Sequence, residues 1–180
     1  PKLEDLRNRI AEKGKLVVAY SGGVDSSLLA KVANDVLGEC ALAIFLDSET
    51  AARSELEQAR RQADSLGLNF RVAEFSIIAD EEFAQNSRDR CYICKKKSAA
   101  VLKSIAREEG ITCIADGVNL SDYQDFRPGI QACNEEGIWH PFVESGISKE
   151  DIRSLALGLG LVLEVLVGEH SLRQRREDDA

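Results

Sequence analysis

Ser21-Gly22-Gly23-Val24-Asp25-Ser26-Ser27 is the segment whose residue types and spacing could do chemistry. It follows an apolar run, Leu16-Val17-Val18-Ala19-Tyr20, and leads into Leu28-Leu29-Ala30-Lys31-Val32. That order reads as a strand, a glycine-bearing turn rich in hydroxyls, and the first turn of a helix. Such a turn presents backbone N–H groups and Ser hydroxyls to an anion, and the helix dipole adds partial positive charge. The expected ligand is a nucleotide phosphate. A Walker A loop would end in Gly-Lys-Ser/Thr, with the Lys reaching the terminal phosphates. Here no Lys follows the second glycine, and Asp25 stands near the helix start instead. A dinucleotide fingerprint needs three spaced glycines, and this segment has an adjacent pair. The plainer reading is a glycine turn capped by Ser and Asp.

The second such segment is Asp89-Arg90-Cys91-Tyr92-Ile93-Cys94-Lys95-Lys96-Lys97. Two cysteines three apart at a loop-to-helix junction can face one metal or cluster, and a helix N-terminus favours their thiolates. A zinc or iron–sulfur site needs further ligands. His140 and His170 are not in metal spacing, and Cys133 is a better third ligand than Cys113, which sits in a strand. Three readings of the pair stay open: ordinary reduced thiols, a metal or cluster site, and sulfur-carrying thiols. The Lys95–Lys97 run reads as a solvated helix face or as a phosphate clamp.

The elements that must position these groups alternate. Helices are expected over 3–13, from the turn to about 37, over 51–66, over 91–109 and from 149 to about 159, where glycines or Ser148 mark the ends. Ser148 reads as an N-cap, with Asp151 three residues later completing an imperfect capping box. Strands are expected over 16–20, 41–46, 70–75 and 112–115, with a short fifth strand over 138–143 interrupted by Pro141 and a final edge strand over 161–167. Parallel strands need helical crossovers, so the expectation is a doubly wound parallel α/β sheet with ligands at the carboxyl ends of its strands. Three polar clusters fall at those ends: 21–26, 47–49 and 116–119.

At 180 residues the chain suits a single domain over 1–168, followed by a charged, frayed tail over 169–180. A formal charge of −8 argues against nonspecific binding to nucleic acid. No apolar run approaches a membrane span, and residues 1–14 lack a signal-peptide core. The five cysteines lack the spacing of a small disulfide scaffold. The expected compartment is the cytoplasm, with reduced thiols.

The hexapeptide Ser21-Gly22-Gly23-Val24-Asp25-Ser26 resembles the PP-loop of ATP pyrophosphatases, enzymes that cleave ATP between its α and β phosphates. After it come Arg90-Cys91-Tyr92-Ile93-Cys94-Lys95-Lys96, Asp116-Gly117-Val118-Asn119, Asp125-Phe126-Arg127-Pro128-Gly129 and Gly146-Ile147-Ser148-Lys149-Glu150-Asp151-Ile152-Arg153. In that order these motifs closely resemble the LarE family, the ATP-dependent sulfur transferases that make the nickel-pincer cofactor of lactate racemase. The resemblance covers about residues 3–161.

It implies adenylation of a carboxylate on a pyridinium dicarboxylate mononucleotide, release of pyrophosphate, and displacement of AMP by a sulfur nucleophile. Ser21, Gly22, Gly23, Asp25 and Ser26 then map onto the pyrophosphate loop, with Asp25 also a Mg²⁺ contact. Ser48 and Gly117 fall in the adenosine pocket. Arg127, a planar double donor, suits phosphate or carboxylate, or is a surface residue tied to Asp125. Cys91 and Cys94 become candidates for sulfur chemistry or an iron–sulfur cluster, and the resemblance suggests a homo-oligomer. The chain departs from the family after the helix holding Ile152 and Leu155. Members continue there to a further cysteine and another domain, whereas no cysteine follows Cys133 here. ATP activation thus rests on residues and sulfur delivery on the resemblance. The competing expectations are a tRNA thiolase, an amidotransferase-type ligase, and a noncatalytic ATP-binding subunit.

Overall fold

The computed structural model describes residues 1–49, 51–76, 90–124 and 127–161. Four strands form one parallel sheet: β1 (Leu16–Ala19), β2 (Ala41–Asp47), β3 (Phe70–Glu74) and β4 (Ile114–Ala115), in the order β3-β2-β1-β4. The register sets Leu16 beside Ala41 and Val17 beside Ile114. Helices α1 (Lys2–Lys13), α2 (Val24–Leu37), α3 (Arg53–Ser65), α4 (Arg90–Glu108), α5 (Pro128–Glu135), α6 (Pro141–Glu144) and α7 (Lys149–Gly158) complete the described elements, with short 3₁₀ turns at Gly38–Cys40 and Leu120–Gln124.

Both faces of the sheet are covered, as a parallel sheet requires. Side chains alternate along a strand, so Leu16 and Val18 of β1 join Ala43 and Phe45 of β2 in a core with Leu6, Leu28, Leu29, Ala59 and Ile152. Val17, Leu42 and Ile44 point the other way, onto Ala99, Leu102 and Ile105 of α4 and Cys133 of α5. The chain runs outward from β1 through β2 to β3 and then crosses back to the other flank of β1. That reversal places a crevice at the carboxyl ends of β1 and β4, where doubly wound sheets bind ligands.

The expected fifth strand is not formed. Trp139 alone bridges Ala115, with its N–H donating to the Ile114 carbonyl at 2.8 Å and its carbonyl accepting from Asp116 N–H at 3.1 Å. Pro141 then opens α6, because its fixed φ and missing N–H suit the first turn of a helix and not a ladder. Pro128 opens α5 in the same way, in a stretch with no helical expectation. The carboxyl-terminal expectations, an edge strand over 161–167 and a tail over 169–180, lie outside the described residues except for Leu161, which is buried in the core.

The capping box at α7 is complete. Asp151 N–H donates to Ser148 Oγ at 3.2 Å, and Ser148 N–H donates back to Asp151 Oδ2 at 2.9 Å. The Lys2 ammonium, 2.6 Å from the same oxygen, is the larger cause holding the Asp151 carboxyl down to about 2 from an ordinary 3.8. Because the folded value is depressed, Asp151 adds stability that is complete above the unfolded value and is lost as pH falls toward 2. Denaturant midpoints measured from pH 5 to pH 2 should therefore fall more steeply for the wild type than for Asp151→Asn.

Candidate functional site: a phosphate-binding turn at the switch point

The turn between β1 and α2 is organised around the Ser26 hydroxyl. It accepts Ser21 N–H at 3.1 Å, lies 3.1 Å from Ser21 Oγ, and donates to the Gly23 carbonyl at 3.3 Å. Gly23 N–H turns back to Ser21 Oγ at 3.4 Å. Gly22 needs to be glycine on two counts: its φ is +81°, and a Cβ there would lie 3.2 Å from Cα and Cβ of the buried Ala59 on α3. Asp25 follows in the first turn of α2, and its Oδ1 accepts Lys149 Nζ at 2.7 Å. Lys149 is itself positioned by its backbone N–H, which donates to Ser121 Oγ at 3.1 Å. The amino end of α7 is thereby tied to the amino end of α2.

The facing wall comes from the chain after β4. A Cβ on Gly117 would sit 3.0 Å from the Asp25 carbonyl carbon and 3.0 Å from Ser26 N, so the two backbones touch and only glycine fits. The preceding Asp116 is buried and accepts Val118 N–H at 3.1 Å. Between the walls opens a cleft of about 450 Å³, a size suited to a small-molecule ligand. Ser21, Asp25 and Ser26 line it from β1–α2, Ser48 from beyond β2, and Asp116 and Gly117 from beyond β4. The three strand-end clusters expected from the sequence thus meet in one cavity.

The far end of the cleft is lined by Cys94, Lys95 and Ser98 of α4, by Asp122 and Arg127, and by Cys133 of α5. Arg127 is 52% exposed and pairs through Nη1 with Asp122 Oδ1 at 2.6 Å. Asp122 is fixed by Asn119 N–H, which donates to its Oδ2 at 3.0 Å. Among the described residues the ion-pair partner of Arg127 is Asp122, and Asp125 lies outside them. The lysine run divides between two environments. Lys95 faces the cleft, whereas Lys96 is held by Glu135 and Glu136, each at 2.8 Å. Lys96 in turn is the largest cause holding the Glu135 carboxyl down to about 2.

The cysteines do not gather. Cys91 is exposed on the first turn of α4, Cys94 is half-buried on the cleft, and Cys133 is buried. Among the described residues no three His, Cys, Asp or Glu side chains form a group able to hold a metal. Burial, with Asp116 nearby, pushes the Cys133 thiol up to about 11, so it stays protonated at neutral pH. Mg²⁺ is a different case, because it is commonly held by one or two carboxylates together with substrate phosphates and water. The single carboxylate of Asp25, beside two Ser hydroxyls, fits that donor set.

Lys149 and His140 are the site-forming residues that sequence reasoning did not single out. Lys149 stands 124 positions from Asp25, and its only signal is its place in Gly146-Ile147-Ser148-Lys149. His140, without metal spacing, reaches the site through Asp116 at 2.6 Å.

Residues 3–110 match the NAD synthase family. The uncharacterized protein slr1717 of Synechocystis sp. is 42% identical over 89% of this chain and 60% of its own length. The pyridinium-3,5-bisthiocarboxylic acid mononucleotide synthase of Lactiplantibacillus plantarum is 35% identical over 82% of this chain and 54% of its own. The chain therefore spans somewhat over half the length of these relatives. Among solved structures, the NH3-dependent NAD synthetase of Campylobacter jejuni superposes with a TM-score of 0.73 at 19% identity, covering 99% of this chain and 83% of that one. At that identity the likeness concerns the fold, and the fold agrees with the doubly wound α/β expectation.

Proposed function

The chain belongs to the NAD synthase family, with the LarE type as the branch supported by its ordered motifs and its 35% identical relative, and from that premise we propose that it adenylates a substrate carboxylate. One carboxylate oxygen attacks the α phosphorus of ATP, the α–β bridging bond breaks, and pyrophosphate leaves. A sulfur nucleophile then attacks the acyl carbon and expels AMP. The observation that carries this reading is the β1–α2 turn, where no lysine follows Gly23 and Lys149 is brought from α7 to pair with Asp25.

Ser21, Gly22, Gly23 and Ser26 form the cradle for the departing pyrophosphate, using backbone N–H groups and hydroxyls at the amino end of α2. Asp25 would hold Mg²⁺, whose charge would offset that of the leaving pyrophosphate. Lys149, paired with Asp25 at 2.7 Å, supplies a cation at the same turn. Ser48 and Gly117, on opposite sides of β1, flank the adenosine. Lys95 and Arg127 give the far end of the cleft positive charge for an anionic acceptor. Of the two thiols lining the cleft, Cys133 is held protonated by burial, which leaves Cys94 as the one suited to sulfur chemistry. Among the described residues the cysteines form no group of three that would fit an iron–sulfur cluster.

Product analysis with ATP, Mg²⁺ and a pyridinium dicarboxylate mononucleotide tests this reading. AMP and pyrophosphate support it, and ADP with phosphate overturns it. Arg127→Ala should raise the acceptor KM about tenfold while leaving the ATP KM within about twofold, because a lost charged hydrogen bond costs about 1.5–3 kcal/mol. Stability should change by about 1 kcal/mol or less, since the Arg127 end of the pair is 52% exposed. Steady-state kinetics in each substrate, with a denaturant titration, check both statements.

A further inference from the structure

His140 is one of two histidines in the chain and is buried with 7% exposure, yet it contributes nothing to the lining of the cleft. Its ring is held at both ends. Nδ1 lies 2.6 Å from Asp116 Oδ1, and Nε2 lies 2.9 Å from Asn134 Oδ1. Tyr123 meets the ring edge-on, with centroids 6.4 Å apart. An ionised carboxylate only accepts hydrogen bonds, so Nδ1 carries the hydrogen and donates it; a neutral ring then accepts at Nε2 from the Asn134 amide in its flipped orientation. The same Asp116 oxygen also accepts Val118 N–H at 3.1 Å. A buried carboxylate needs such donors, because desolvating it without them is costly.

We infer that His140 is a positioning residue of the nucleotide site, acting through Asp116 on the wall that confines the phosphate-binding turn. His140 stands at the N-cap position of α6 and donates to Asp116; Asp116 closes the turn through Gly117 to Val118; Gly117 rests directly on the Asp25–Ser26 backbone. Each link is a contact between closely packed or hydrogen-bonded groups, so a shift of Asp116 has few ways to dissipate before it reaches Ser26. Removing the Nδ1 donor frees the carboxylate to turn toward water in the cleft and releases the 116–118 turn with it. The inference rests on the ATP-binding reading of the cleft, although it concerns the holding of nucleotide and not the chemistry that follows.

The test compares His140→Ala, His140→Asn and His140→Gln in the full chain. An Asn amide nitrogen falls near the place of Nδ1, whereas a Gln amide nitrogen falls near that of Nε2. ATP dissociation constants measured by calorimetry with Mg²⁺ should rise about tenfold or more for His140→Ala and His140→Gln. For His140→Asn they should stay within about threefold of wild type. A purely structural role would lower thermal stability in all three without separating Asn from Gln in affinity. Nitrogen-15 spectra should show a protonated Nδ1 on the resonance that disappears in His140→Asn, the only other imidazole being that of His170. The inference is overturned if His140→Ala binds ATP as wild type does, if Asn and Gln are equally impaired, or if Nδ1 carries no proton. ATP that binds without being cleaved to AMP and pyrophosphate would sink the proposed reaction alone. A wild-type chain that binds no ATP would sink both.

Discussion

Asp25→Asn is expected to lower AMP and pyrophosphate formation by on the order of 10²–10³-fold at saturating ATP, the scale of loss when one preorganised electrostatic partner is removed from a transition state. The isosteric amide keeps the shape of the α2 amino end but cannot neutralise Lys149, now 2.7 Å away, or act as the anionic ligand of Mg²⁺. The fold should change little. The carboxylate and the ammonium are each 27% exposed, and pairs of that kind contribute about 1 kcal/mol or less. The variant should also need more Mg²⁺ for half-maximal turnover. Initial rates across a Mg²⁺ titration, set beside a denaturant curve, measure both effects, and an unchanged rate would remove Asp25 from the reaction.

Gly117→Ala should have the second largest effect, for a steric reason. The new methyl carbon would lie 3.0 Å from the Asp25 carbonyl carbon, 3.0 Å from Ser26 N and 3.1 Å from Asp25 Cβ. Two of these are backbone atoms of the proposed phosphate turn, so the chain after β4 must move away or the turn must distort. Overpacking of this kind costs about 1–3 kcal/mol, and a displacement near 1 Å in a catalytic arrangement can cost about 10²-fold in rate. Gly129→Ala is the contrasting case. Its methyl meets Lys95 Cγ at 3.2 Å, on a side chain that can swing aside, and it should be nearly neutral. ATP affinity and denaturant midpoints of the two variants test the distinction. Normal ATP affinity in a folded Gly117→Ala protein would mean that the two walls do not constrain one another.

Much of this site was legible in the amino-acid sequence because it is built from local signals. The apolar runs of β1 and β2, the glycines of the turn and the polar residues just beyond each strand all declare themselves within a few positions. A parallel sheet brings such strand ends together by construction, so Ser21, Ser48 and Gly117 could be grouped without coordinates. The capping box was legible too, since Asp151 is short but still reaches the Ser148 N–H. Contacts that depend on how distant elements dock were not legible. Nothing local ties Lys149 to Asp25, or His140 to Asp116. The pair between Arg127 and Asp122 depends on the 3₁₀ turn at Leu120–Gln124 that carries this carboxylate to it, and the alternative partner, Asp125, lies outside the described residues. The apolar residues over 138–143 suggested a strand, but Pro141 redirected the chain after one bridge and made His140 a helix cap.

The central claim, that the cleft joins AMP to a carboxylate, is tested most directly by isotope transfer. The protein would be incubated with ATP, Mg²⁺, a sulfide source and a pyridinium dicarboxylate mononucleotide carrying ¹⁸O in its carboxylates, and the released AMP analysed by mass spectrometry. Attack on the α phosphorus followed by displacement at the acyl carbon leaves one carboxylate oxygen on AMP. Each AMP formed should carry one ¹⁸O, with unlabelled pyrophosphate. AMP free of ¹⁸O, or label appearing in inorganic phosphate beside ADP, would contradict it.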